Sequence, residues 1–290
     1  MPFQDHLRRM KRDLCGYRPN PVYDRRTIQQ GIEQLQSIQA VVDLPSACVL
    51  EVGSGWEPLI PLLYSLAGTR ETIMTDLRAL LHASSVRATV DSLRANADLI
   101  RDGLQIGGDA LENFLHLAGG DDLDAILKRL RLRYLAPCDV RSTALPSGSV
   151  DAVVSRAVLE HIPPGVIAGI FTESARIVRP GGVTCHLVDN SDHWEHRDKG
   201  ISRINFLKFS DATFRLTCIN GLNYQNRLRH PEYRRMLENA GFAIERDERT
   251  IDPEAREILE HFPIAPRFAQ FSKDDLATVT SFFLARRTAG

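Results

Sequence analysis

Val49-Leu50-Glu51-Val52-Gly53-Ser54-Gly55-Trp56-Glu57-Pro58 runs an apolar segment straight into a Gly-x-Gly turn and then into a helix-like stretch. In doubly wound sheets, ligands bind just beyond the carboxyl ends of the strands, so this turn marks a nucleotide-type site by position. Gly53 and Gly55 lack a Cβ, which lets the chain turn sharply and approach a ligand closely. The dinucleotide fingerprint would need a third glycine where Pro58 stands. Proline suits the first turn of a helix but offers no N–H to a pyrophosphate. Glu51, two residues before Gly53, opposes a phosphate and favours a cationic ligand. The turn therefore reads against NAD.

Working outward, short apolar runs recur at 47–52, 72–75, 134–138, 152–155 and 183–188. Runs of this length without clean alternation suit strands covered on both faces. Helix-like stretches lie between them, at 58–66, 77–100, 159–178 and 231–240, and Pro180-Gly181-Gly182 reads as the stop between the third of these and its following strand. Alternating strand and helix predicts an α/β fold: a doubly wound, Rossmann-like, mostly parallel sheet. Runs at 242–249 and 278–285 predict an antiparallel C-terminal edge pair. Two connections exceed what a crossover needs. We expect one domain over 1–290, with an N-terminal helical arm (1–44), a helical insertion (77–132) and a substrate-side cap (189–229).

Composition narrows the function classes. Hydrophobic residues at 43% and charged residues at 25% are those of a soluble globular domain. A net charge of -1 gives no global pull towards nucleic acid or anionic membrane. The basic residues Arg8, Arg9, Lys11, Arg12, Arg18, Arg25 and Arg26 cluster near the N-terminus, where a solvated helix face is preferred to phosphate or RNA contact. No apolar run suits a signal peptide or a membrane span, so a cytoplasmic setting is expected. Cys15, Cys48, Cys138, Cys185 and Cys218 are widely spaced without a C-x-x-C pair, which predicts neither a disulfide framework nor a thiolate zinc site.

Asp76 ends the second strand-like run, at the ~20-residue offset where an acid accepts both ribose hydroxyls. Asp139 follows the third, placed to accept from an adenine amine. Either acid alone also reads as a helix N-cap. With Glu51 they make three acids on three successive strand ends. The motifs Glu51-Val52-Gly53-Ser54-Gly55, Asp76, Cys138-Asp139-Val140, Leu145 to Asp151, Ser155 to Ile162 and Arg179-Pro180-Gly181-Gly182, in this order, resemble those of class I S-adenosylmethionine-dependent methyltransferases. The resemblance is to the group that includes ubiquinone- and menaquinone-type small-molecule enzymes, and it covers about 45–189 outside the insertion. It implies S-adenosyl-L-methionine as cofactor. Gly53 and Gly55 would pass beneath its methionine portion, Glu51 would favour its ammonium, Asp76 would hold the ribose and Asp139 would face adenine. Ser54, Leu77 and Val140 join this set, and Ser155 and Arg156 would sit near the sulfur and the carboxylate, Arg156 reading equally as a surface ion pair. Glu57 stands where such enzymes commonly have a third glycine.

On the substrate side, Asp189-Asn190-Ser191-Asp192-His193-Trp194-Glu195-His196 holds the densest set of candidate bases. His193, oriented by Asp192 or Glu195, would take a hydroxyl proton, or His196 in its place; both also read as polar loop residues. Trp194, Tyr224 and Arg227 are candidate substrate contacts, a packing tyrosine and a surface arginine being the alternative for the last two. Phe206, Phe209 and Phe214 read as core. Glu160-His161 is similar to a Glu-x-x-Glu-His arrangement that holds a divalent metal in some relatives, but Ala157 replaces the first glutamate, so no metal is expected. The resemblance implies methylation of a small-molecule or glycan acceptor, at oxygen ahead of nitrogen or carbon. RNA or protein methylation, and a non-methylating isomerase, cyclase or binding protein on the same fold, are the rivals.

Overall fold

The computed structural model describes residues 23–196, 198–217 and 224–288. The basic residues at 8–18, and Cys15 and Cys218, lie outside them. After an entry helix α1 (Arg25–Gln39) come β1 (Cys48–Val52), α2 (Leu59–Leu66) and β2 (Glu71–Thr75). The insertion then folds as α3 (Ala83–Ala95), α4 (Ala97–Leu104), α5 (Gly108–Leu117) and α6 (Leu123–Arg129). The chain returns through β3 (Leu132–Leu135), β4 (Val150–Arg156), α7 (Pro164–Ile177) and β5 (Val178–Asp189). It closes with α8 (Asp211–Thr217), α9 (His230–Asn239), β6 (Phe242–Ile251), α10 (Pro253–Ile258), α11 (Lys273–Ala277) and β7 (Thr278–Arg287).

The seven strands form one sheet in the order β3-β2-β1-β4-β5-β7-β6. Pairings from β3 through β5 are parallel, as expected, and β7 pairs antiparallel with both β5 and β6. The antiparallel strand is thus one place in from the edge. The topological reversal lies between β1 and β4, and this brings the glycine turn beside the end of β4.

Both faces of the sheet are covered. Val49, Ala152, Val154 and Cys185 pack with Ile32 and Leu35 of α1, Leu62 and Leu63 of α2, and the insertion's Leu93, Leu111 and Ile126. Leu50, Val52, Ile73 and Val153 face Ile167, Ile170 and Phe171 of α7 and Tyr233 and Leu237 of α9. Burying one such aliphatic side chain contributes about 1.5–3 kcal/mol, so the two layers fix the strand ends that carry the site. A third cluster joins Phe206, Leu207 and Phe214 of the cap to Phe268 and Leu276, which agrees with the core reading of the phenylalanines.

Local chemistry sets the boundaries. Asp24 starts α1 by accepting from the Thr27 N–H at 2.8 Å. The helical stretch expected over 77–100 is broken: Asn96 separates α3 from α4, and residues 77–82 lead in without helix. β3 begins at Leu132 and ends before the Ala136-Pro137 cis bond, earlier than its apolar pattern suggests, so Asp139 lies four residues beyond the strand. Pro180-Gly181-Gly182 does not end α7. That helix stops at Ile177, β5 starts at Val178, and the glycines bulge out of the strand, where register passes from Val150↔Val178 to Ala152↔Val183.

Candidate active site

β1 delivers the glycine turn over the end of the sheet. Gly53 has φ +75°, and a Cβ there would come within 2.5 Å of the Val158 side chain. Gly55 has φ +60°. The N–H groups of Gly53 and Ser54 both donate to the Thr75 carbonyl at 2.9 Å, which pins the turn to the end of β2. Asp76 completes the clasp, accepting from the Gly55 N–H at 3.1 Å and, with its other oxygen, from the Arg78 N–H at 2.9 Å.

Beyond this clasp lies a cavity of about 380 Å³, lined by Gly53, Asp76, Leu77, Asp139, Val140, Ala157, Val158 and His161 among others. Leu77 is 68% exposed, an apolar surface offered to whatever occupies the cavity. Asp139 forms a fork with the Arg141 guanidinium at 2.6 Å, which holds its carboxyl below the usual carboxylate range. An adenine amine at Asp139 would share that carboxylate with Arg141.

Glu51 and Ser54 are buried and do not line the cavity. The Glu51 carboxyl is buried with one oxygen unpartnered, and burial pushes its pKa up to about 8. A cation placed above it would draw it back to the carboxylate. Ser155 is turned away from the cavity: fully buried, it bonds His186 Nδ1 at 2.8 Å within the sheet. Its backbone carbonyl in turn accepts from Gln34. The expected place of Ser155 at the cofactor's sulfur is therefore corrected to a sheet contact. Ala157 has φ +51°, a strained conformation for a residue with a Cβ.

A second cavity, of about 220 Å³, opens on the other side of Ala157 and is lined by Arg26, Gln30, Arg156, Ala157, Asp189, His196 and Arg203 among others. Arg156 reaches Gln30 Oε1 at 2.9 Å and leaves its Nε unpartnered, so it is no surface ion pair. Asp189, at the end of β5, lies close to the loop histidines: Oδ2 stands 3.5 Å from His193 Nε2 and 3.9 Å from His196 Nε2. Asp189 Oδ1 accepts from Ser191 N and Oγ. Burial alone would raise the Asp189 carboxyl, but the His193 ring 3.5 Å away and the hydrogen bonds from Ser191 outweigh it and hold it down at about 2.

The orienting partners expected for His193 are engaged elsewhere. Asp192 is buried and accepts from the Trp194 N–H at 2.9 Å, and Glu195 pairs with Lys199 at 2.7 Å. The three rings of His161, His193 and His196 follow one another, with centroids 4.9 Å and 5.2 Å apart. Glu160 is buried beside them, both carboxyl oxygens unpartnered, and burial pushes its pKa up to about 8. Trp194 is 42% exposed on the same loop. Tyr224 gives its backbone carbonyl to His161 Nδ1 at 3.0 Å. Arg227 is corrected. It is buried under the Phe214 ring, donates to the carbonyls of Phe206 and Phe209 at 2.9 and 2.6 Å, and pairs with Asp211 at 2.6 Å, so it fastens the cap.

Gln30 and Arg141 line the cavities without having been singled out from the sequence, His161 and Ala157 had no place in the site, and Asp189 figured only as the first residue of the segment of candidate bases. Asp189 carried a signal, as an acid ending the fifth strand-like run. Gln30 did not, because nothing in the helix pattern of α1 says that its polar face looks into the sheet's carboxyl edge.

Residues 106–185 match the family described as "Methyltransferase domain". That span runs from just before α5 to Cys185 within β5 and leaves the glycine turn outside it. No curated protein matches the sequence. Among solved structures, the chain is similar to phosphoethanolamine N-methyltransferase 2 of Haemonchus contortus in complex with S-adenosyl-L-methionine. The identity is 17% and the TM-score 0.50, over 90% of this chain and 52% of that one, so this chain spans about half the length of that protein. It is also similar to geranyl diphosphate methyltransferase in complex with the same molecule, at 14% identity and TM-score 0.50, over 90% of this chain and 85% of the other. At these identities the likeness is one of fold. The chain thus has the Rossmann-like fold of these methyltransferases, with a methyltransferase-domain match over 106–185.

Proposed function

We propose that this chain transfers the methyl group of S-adenosylmethionine to an oxygen of a small-molecule or glycan acceptor, and that residues 1–290 act as one domain in doing so. The observation that carries the reading is Glu51, a buried carboxyl with an unpartnered oxygen two residues before a Gly-x-Gly turn clasped by Asp76. A phosphate there would meet two acids. A ligand carrying an ammonium and a ribose diol would satisfy them.

S-adenosylmethionine, when bound, supplies an electrophilic methyl on a sulfonium. The remaining work falls to this chain's residues. Gly53 lets the backbone run beneath the methionine portion, Gly55 shapes the turn, and Asp76 offers its carboxylate to the ribose. Leu77, Val140 and Val158 give the adenine an apolar wall, and Arg156 stands at the junction with the second cavity. Methyl transfer is an in-line displacement, so alignment of the acceptor supplies much of the rate. The second cavity is the acceptor's place, because it meets the first at Ala157. His196 lines it within 3.9 Å of Asp189, and there it takes the proton of an acceptor hydroxyl. Trp194 and Tyr224 flank this edge.

Incubation with S-adenosylmethionine labelled in the methyl group, against panels of phenols, sugars, phosphate esters and amines, tests the reading. Transfer to a hydroxyl acceptor is expected. For that acceptor, His196→Ala should lower kcat by about 10²–10⁴-fold and leave S-adenosylhomocysteine affinity unchanged. Transfer to amines alone would overturn the assignment to oxygen.

A further inference from the structure

We infer that Glu160, His161 and His193 form a binding site for one divalent first-row transition ion, set at the seam between the two cavities. The ion's place beside the acceptor rests on the methyltransferase reading; the site itself rests only on geometry. One ligand atom from each of the three residues lies within 4.8 Å of the others. Small torsional adjustments bring such a set to the ~2.0–2.2 Å that carboxylate oxygens and imidazole nitrogens adopt around a metal.

Three independent observations converge. Glu160 is 2% exposed and neither carboxyl oxygen has a hydrogen-bond partner. A buried carboxyl left so is costly unless it is satisfied by a proton or a cation. Arg156, the nearby guanidinium, bonds Gln30 instead. His161 Nδ1 lies 3.0 Å from the Tyr224 carbonyl. A carbonyl only accepts, so Nδ1 carries the proton and the lone pair of Nε2 is left for a ligand. Metal-binding histidines are oriented in this way by an outer partner. His193 Nε2 is buried without a hydrogen-bond partner and stands 3.5 Å from Asp189 Oδ2, a further oxygen donor at the same spot.

Two imidazoles with one or two carboxylates suit Mn²⁺, Fe²⁺, Co²⁺ or Zn²⁺ better than Mg²⁺ or Ca²⁺, which prefer all-oxygen shells. His161 lines the first cavity, and Asp189 and His196 line the second. Open coordination positions therefore face the place where an oxygen-bearing acceptor would meet the methyl group.

Cobalt(II) titration of the metal-stripped full-length chain, followed by visible absorption, tests the site. S-adenosylhomocysteine affinity is measured in parallel by calorimetry. One ion per chain is expected, with ligand-field bands of a nitrogen- and oxygen-coordinated centre. Affinity should be at least about tenfold weaker in Glu160→Gln and in His193→Ala. Both variants should keep wild-type S-adenosylhomocysteine affinity, which also shows that they fold. No saturable cobalt binding by the wild type, or equal binding by wild type and variants, overturns the site, and retained S-adenosylhomocysteine binding then leaves the methyltransferase reading standing. Saturable cobalt binding lost in the variants, without S-adenosylhomocysteine binding, supports the site and removes that reading.

Discussion

Glu51 shows how burial turns one carboxyl into a sensor of its ligand. Its folded pKa of about 8 lies above the ordinary 4.5, so folding favours the protonated form. This contribution to stability is full below pH 4.5 and is lost as pH rises through about 8. Urea unfolding of the ligand-free chain should therefore show stability declining between those values, and Glu51→Gln should flatten the decline, with Glu160 supplying the remainder. An ammonium-bearing ligand needs the carboxylate. Its affinity should then rise by up to about tenfold per pH unit towards pH 8, with a proton released that calorimetry in buffers of different ionisation enthalpy would detect. Gly53 makes the companion case. Gly53→Ala meets both a positive φ and Val158 at 2.5 Å, and should cost about 1–3 kcal/mol of stability together with most of the cofactor affinity. A thermal melt and a titration of the variant check this. The glycine turn and the acids Glu51 and Asp76 were legible in the sequence because their chemistry is local, whereas Asp139 lies four residues beyond the end of β3. The partners of His193 were not: Asp192 and Glu195 are its neighbours in sequence, yet the fold brings up Asp189 from the end of β5.

Among the elements, β1, β2 and β4 announce themselves as apolar runs, since strands covered on both faces carry little but hydrophobic side chains. The Pro-Gly-Gly segment deceives for a physical reason: a breaker that usually caps a helix also serves as a bulge inside a strand, and pairing with β4 on both sides makes it so here. Arg227 carries a similar lesson. Its place between polar and aromatic residues suggests a substrate contact, but tertiary packing draws the guanidinium under Phe214 to hold two backbone carbonyls of the cap. Arg227→Ala would leave those carbonyls without it, at about 1–3 kcal/mol for a buried group left unmade, while the exposed Asp211 keeps water and Arg267. A lowered unfolding midpoint with cofactor affinity within about twofold is the expected result. Unchanged stability with weakened acceptor binding would restore the substrate role.

Across the whole molecule, the order β3-β2-β1-β4-β5-β7-β6 gathers the ends of β1, β2, β4 and β5 at one edge; the insertion packs against one face of the sheet, and Asp189, His196 and Arg203 line the cavity at that edge. Helix and strand periodicity conveyed that architecture. The contents of the two long connections could not be read in the same way, because their residues earn their positions by tertiary contact alone. A net charge of -1 argues that generic RNA should bind weakly at ~150 mM salt with a shallow salt slope; a steep slope would point to polyanion contact by the basic N-terminal residues. The central claim is the cofactor, and calorimetric titration of the wild type and Asp76→Ala with S-adenosylmethionine, S-adenosylhomocysteine and NADH tests it most directly. The account predicts 1:1 binding of the first two by the wild type, loss of that binding in Asp76→Ala, and no binding of NADH; binding of NADH alone, or undiminished affinity in the variant, would contradict it.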